Sequence, residues 1–152
     1  MVTLWARLEG DIDTKSAINY AVVQVMGGIL GVMAANVIFE LDAINWSTRD
    51  RSDPALWLSE IIATFGLLMV IIGVVRTRKD HWVAVSVAAY IAGAYFFTSS
   101  TSFANPAVTV ARTFSDTFAG IEPASAPMFI LCQFIGCILA IAVMRVTHPK
   151  QT

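Results

Sequence analysis

The chain has 152 residues and a formal net charge of -1; 57% of its residues are hydrophobic and 14% charged, and its mean hydropathy is +0.68. A soluble domain carries roughly a quarter charged residues, so this composition describes one polytopic membrane domain rather than a soluble core with an anchor. The near-neutral balance gives no electrostatic case for nucleic acid as a partner, and the opening residues Met1 to Glu9 lack the basic, apolar and small-residue regions of a signal peptide.

Four apolar stretches follow in chain order. The first, residues 18–39, and the second, residues 56–75, are each long enough to span hydrocarbon, which needs about 20 residues. The third, residues 82–97, is shorter, but it opens on an interfacial tryptophan, Trp82, and ends in Tyr95-Phe96-Phe97, so it too is read as a span. The last covers residues 126–146. All four are rich in Gly and Ala, which lets membrane helices approach closely. Lys and Arg set the orientation. Arg76-Thr77-Arg78-Lys79-Asp80-His81, the C-terminal Arg145 and Lys150, and the N-terminal Arg7 and Lys15 share one side if the spans alternate. This places both termini in the cytoplasm and the chain in a plasma or inner membrane.

Between the third and fourth stretches lies Ser102-Phe103-Ala104-Asn105-Pro106-Ala107-Val108-Thr109-Val110-Ala111-Arg112. Asparagine caps a helix and proline fits its first turn, so a helix over about 105–118 is expected, too short to cross a bilayer. A broken helix at membrane depth is tolerated where protein or a water-filled cavity satisfies its backbone, and the motif therefore points to a pore. Half-helix amides and the positive end of the helix dipole would hold a neutral solute and disfavour a cation.

An internal repeat supports the same reading. Gln24-Val25-Met26-Gly27-Gly28-Ile29-Leu30 matches Gln133-Phe134-Ile135-Gly136-Cys137-Ile138-Leu139, and Val2-Thr3-Leu4 matches Val108-Thr109-Val110. The alternation of spans makes the two copies run in opposite directions, an inverted repeat whose interface carries the transport path. The second copy has an Asn-Pro-Ala motif and two spans ahead of it. The first copy begins at Val2, and by symmetry the same motif and two spans are expected upstream of it.

Asn-Pro-Ala at the start of a half-helix, with Gln-x-x-Gly in the flanking spans, resembles the major intrinsic protein family, the aquaporins and glycerol facilitators; residues 98–121 look like a bacterial branch of it. The resemblance implies an all-α integral membrane fold, an incomplete aquaporin-like inverted-repeat bundle of four transmembrane helices and one re-entrant half-helix. It implies a passive channel for water or small neutral solutes such as glycerol, urea or metalloid hydroxides like arsenite, with no cofactor, and a homo-oligomer, a tetramer in this family. Asn105, Pro106 and Ala107 would form the pore motif. The family pattern puts the selectivity filter at Gly93, Ser102 and Val108, where arginine is usual at the last position; valine removes a fixed charge and several donors, giving a wider and less polar filter. Glu60, an acidic residue inside a predicted span, is a functional candidate by default, and the family uses such a glutamate to accept hydrogen bonds from the pore loop. Gln24 and Gln133 are read as interhelical hydrogen-bond donors, and Arg112 and Asp116 as an i, i+4 surface pair.

Cys132 and Cys137 suit neither a disulfide nor a zinc pair, and no nucleophile-base pair or phosphate loop is present, so catalysis and metal binding are not expected. The alternative to a channel is a non-conducting relic, or an interaction partner of full-length channels. A lone half-helix leaves amides and a cavity facing lipid, so the chain by itself is expected to conduct little.

Overall fold

The computed structural model describes residues 1–149, and among them all regular structure is helical. The helices are α1 (Val2–Leu8), α2 (Thr14–Ile38), α3 (Pro54–Arg76), α4 (Val83–Phe97), α5 (Pro106–Arg112) and α6 (Ala126–Thr147), with a 3-10 turn at Asp80–Trp82 leading into α4. Local chemistry starts them: Asp13 accepts from the Ser16 N–H at 2.6 Å and Asp53 from the Ala55 N–H at 2.7 Å, and Pro54 occupies the first turn of α3.

By length and apolarity, α2, α3 and α6 are each able to cross a membrane. The third expected span, residues 82–97, forms a helix of 15 residues, a rise of about 22 Å against a hydrocarbon core of about 30 Å. A 3-10 turn over Asp80–Trp82, just after Arg78 with its left-handed φ of 56°, leads into it.

The core is built on α3 and α6. Leu67, Leu68, Ile71 and Ile72 of α3 bury themselves against Cys137, Ala140, Ile141 and Met144 of α6, with Met1 and Trp5 closing one side. The two helices approach at Gly136, where a Cβ would lie 2.5 Å from the Ile61 carbonyl oxygen and 3.0 Å from Thr64 Cβ. Gly66 similarly makes room for Tyr90 of α4, whose hydroxyl donates to the Ala63 carbonyl at 2.9 Å. Helix α2 is the exception. Its most apolar stretch is almost wholly unburied, and Gly27, the repeat counterpart of Gly136, has nothing within 4 Å of where its Cβ would be.

Side-chain ties fix the two ends of the bundle. At one end Glu9, just past α1, pairs with Arg76 at the end of α3 (3.2 Å) and Arg145 near the end of α6 (3.4 Å). At the other, Asn36 near the end of α2 donates to the Phe114 carbonyl just past α5 (2.8 Å) and accepts from the Ser115 hydroxyl (2.8 Å). Thus α2 and α6, the two copies of the repeat, end at opposite ends of the bundle, and the copies are inverted. The repeat alignment pairs Asn36 with Arg145 and Ser115 with Glu9, so the two ties are themselves equivalent.

Candidate functional site

The short helix α5 starts as its sequence dictates. Asn105 is extended, its Oδ1 accepts from the Ala107 N–H at 3.0 Å, and Pro106 occupies the first turn. The helix ends at Arg112 rather than near residue 118. Thr113 turns its hydroxyl back onto the Val110 carbonyl at 2.7 Å, and the following residues pair with the loop over residues 39–53, the Ser47 N–H donating to the Thr113 carbonyl and the Asn45 N–H to that of Phe114. That side-to-side pairing consumes carbonyls a continued helix would need.

Helix α1 occupies the matching place in the first repeat. Gln24 donates to the Thr3 hydroxyl at 3.2 Å, as Gln133 donates to the Thr109 hydroxyl at 2.7 Å. Each repeat therefore ties its long helix to its short one by the same Gln-to-Thr bond. The starts of the two short helices meet: Met1, Thr3, Gln24 and Asn105 together line two adjoining cavities of about 320 Å³ and about 300 Å³. Gly28 brings α2 against α5, with its Cβ position 3.1 Å from Ala111 Cβ and 3.5 Å from the Ala107 carbonyl; its counterpart Cys137 lies against the Met1 carbonyl.

The loop leading to Asn105 is strained. Thr101, Ser102 and Ala104 all have positive φ, at 62°, 49° and 50°, conformations that cost of order 1–3 kcal/mol each in residues other than glycine. Buried partners hold them. Glu60, with no exposed surface, accepts from the Phe103 N–H at 3.3 Å and the Ala104 N–H on the loop side, and from Gln133 Nε2 at 2.8 Å on the α6 side. The Ser100 N–H donates to Ser59 at 3.3 Å. Glu60 and Gln133, which the sequence offers separately, thus form one network running from the loop through α3 to α6 and on to Thr109 of α5.

The residues named for the filter are spread more widely. Ser102 is buried and its hydroxyl has no protein partner. Val108 packs against the buried cluster formed by Phe103, Ile121, Ala126 and Phe129. Gly93 is exposed on α4, and the nearest atom to a Cβ there would be Phe97 Cε1 at 3.9 Å; neither Ser102 nor Val108 comes that close.

Two arginines are placed unlike a loop charge and a surface pair. Arg51 is 2% exposed, and its guanidinium donates to the carbonyls of Gly120 (2.7 Å), Ser100 (2.9 Å) and Phe118 (3.1 Å) while lying 4.8 Å from the Phe103 ring centre. Burial, with smaller repulsion from Arg49 and Arg112, lowers its pKa to about 10, so it remains a cation at neutral pH. Nothing in the sequence separates it from the neighbouring Arg49. Arg112 does not pair with Asp116. It donates to the Tyr95 hydroxyl at 2.8 Å and sits 4.4 Å from the centre of the Phe103 ring, while Asp116 accepts from the Thr48 N–H at 2.9 Å. The loop pairing swings Asp116 away from α5 before an i, i+4 contact can form.

Among the described residues no cluster of His, Cys, Asp and Glu side chains is able to hold a metal ion. Cys132 and Cys137 are free and buried.

No family model and no solved structure matches the chain. It is 41% identical over 144 residues to Aquaglyceroporin AqpS of Rhizobium meliloti (strain 1021), an alignment that takes in 95% of this chain and 61% of that protein. The chain therefore spans less than two thirds of the length of the curated relative it matches. An identity of that size over nearly the whole chain supports membership of the aquaporin, or major intrinsic protein, family.

Proposed function

We propose that this chain forms the part of a membrane channel that carries the second Asn-Pro-Ala motif and the filter position beside it, for passive passage of water and small neutral solutes of the glycerol, urea or metalloid-hydroxide class. The observation that carries the reading is the meeting of α1 and α5 at one cavity, each anchored by an equivalent Gln-to-Thr bond. Two helix starts aimed at one point present N–H donors and positive dipole ends to a solute's oxygens and repel cations. Asn105 adds a side-chain amide there: its oxygen is used in capping, which leaves Nδ2 as the donor for a passing solute. The name of the relative, an aquaglyceroporin, supports glycerol-sized solutes, and Val108 in place of arginine supports a wide constriction. In this reading α4 also crosses the membrane, Glu60 holds the pore loop, and both termini face the cytoplasm. The channel assembles as a homo-oligomer in a plasma or inner membrane and does no catalysis.

The test is stopped-flow swelling of proteoliposomes in a glycerol gradient. It compares the 152-residue chain with the same chain fused to the segment of AqpS that it does not span. We expect the fusion to conduct glycerol and to lose most of that conduction on Asn105→Asp, whereas the chain alone conducts little. An inserted fusion no faster than protein-free liposomes would refute the channel reading and leave the non-conducting alternative.

A further inference from the structure

The filter position that usually holds arginine carries Val108, yet a guanidinium is present one turn farther along the same face of α5. Residues four apart on a helix are neighbours, and Arg112 is the residue four after Val108. Its side chain does not lie free in solvent. One end of the guanidinium donates to the Tyr95 hydroxyl at 2.8 Å, another reaches the Thr101 hydroxyl at 3.5 Å, and the plane lies 4.4 Å from the centre of the Phe103 ring. These partners come from α4 and from the strained loop before Asn105, so the cation is clamped between the two elements that flank the path. Phe103 also carries Arg51 at 4.8 Å. The two guanidiniums differ in access: Arg51 is buried with its donors committed to carbonyls, whereas Arg112 is partly exposed and lines a cavity of about 370 Å³ at that end of the bundle with Asn36 and Ser115.

We propose that Arg112 is the charge-selecting residue of this chain: it supplies, one turn beyond the constriction, the fixed positive charge that Val108 lacks. The arrangement separates two jobs that one arginine at the constriction would combine. Val108 sets an apolar width, and Arg112 sets the potential at the mouth, repelling cations and favouring neutral or anionic solutes. The inference rests on the channel reading, because it requires that the Val108 face of α5 meet water.

The test reads the potential at position 108 without needing conduction. Val108→Cys in the full chain, reconstituted in vesicles, is reacted with anionic, cationic and neutral thiosulfonate reagents, and the reaction of the unsubstituted chain with its buried Cys132 and Cys137 is subtracted. Four helical residues rise about 6 Å, and at that distance in water a unit charge changes the local concentration of a monovalent ion about threefold, in opposite senses for the two signs. The anion-to-cation rate ratio should therefore fall about tenfold on Arg112→Gln and be retained in Arg112→Lys, which keeps the charge and loses the planar contacts. A salt titration of the chain that retains Arg112 gives the same test without a variant at that position: the ratio should approach unity as the screening length falls from about 30 Å to about 3 Å. A ratio indifferent to Arg112→Gln or to salt, or lost equally in Arg112→Lys, would overturn the proposal. If the thiol introduced by Val108→Cys reacts with none of the three reagents, the neutral one included, the path itself is overturned and the channel reading with it.

Discussion

Replacing Glu60 by leucine tests the network on which the pore loop depends. Leucine keeps the volume and the helix propensity but removes both carboxylate oxygens. The Phe103 and Ala104 N–H groups and one proton of the Gln133 amide then lose their acceptor in a site with no exposed surface. A hydrogen bond to a charged group contributes about 1.5–3 kcal/mol. Even at the lower end, the two loop bonds are worth about 3 kcal/mol, a hundredfold or more in the local opening equilibrium. The loop has little of its own to oppose opening, since Thr101, Ser102 and Ala104 already occupy left-handed conformations whose strain is released when it opens. Hydrogen–deuterium exchange in detergent micelles reads this directly. Amides 100–105 should lose roughly two orders of magnitude of protection, while those in the middle of α3 and α6 change far less. Unchanged protection over 100–105 in a folded Glu60→Leu protein would refute the claim that this carboxylate holds the loop.

Three further outcomes follow from the same geometry. Gly136→Ala drives a Cβ to 2.5 Å from the Ile61 carbonyl, whereas Gly27→Ala meets nothing within 4 Å; the first should cost about 1–3 kcal/mol and the second almost nothing, read as thermal midpoints in detergent, and equal shifts would contradict the packing described. Arg51→Leu strands the carbonyls of Ser100, Phe118 and Gly120 and should destabilise the fold by about 3–5 kcal/mol; a midpoint within a degree of the parent would show that the guanidinium is not the tie. Val108→Arg in the fused channel should cut glycerol passage by roughly tenfold, equivalent to about 1.4 kcal/mol of barrier, and unaltered glycerol flux would argue against Val108 lining the constriction.

Much of the architecture was legible because it rests on one-dimensional signals. Long apolar runs mark α2, α3 and α6, the Asn105-Pro106 cap marks the start of α5, and the shared pattern Gln-x-x-Gly-x-Ile-Leu starting at Gln24 and Gln133 marks the repeat. The length of α5 was not legible, because what stops it is the pairing of residues 113–114 with residues 45–47, a contact across more than sixty positions. Arg51 was hidden for the same reason. Flanked by Asp50, Ser52 and Asp53, it reads as a solvated loop charge, and only the folded loop brings three carbonyls to it. Left-handed φ values at Thr101, Ser102 and Ala104 carry no glycine to announce them. Backbone that is strained and held by partners distant in sequence leaves no local trace.

The repeat also explains why two chemically unlike ties, Glu9 with Arg145 and Ser115 with Asn36, occupy equivalent places. A short helix that stops inside the bundle ends in carbonyls that its own turn cannot satisfy, and the neighbouring long helix from the other repeat must anchor that end. At the Asn36 end the anchor is neutral and donates directly to the Phe114 carbonyl just past α5. At the Glu9 end it is ionic: Arg76 holds Glu9 while also donating to the Met144 and His148 carbonyls at the end of α6. The two anchors should therefore respond differently to salt. Screening weakens partly exposed ion pairs such as Arg145 with Glu9 and leaves neutral hydrogen bonds largely intact. Exchange protection over residues 5–11 should fall between low and high salt while that over residues 112–116 stays constant; an equal response at both ends would mean that the ion pairs do not anchor α1.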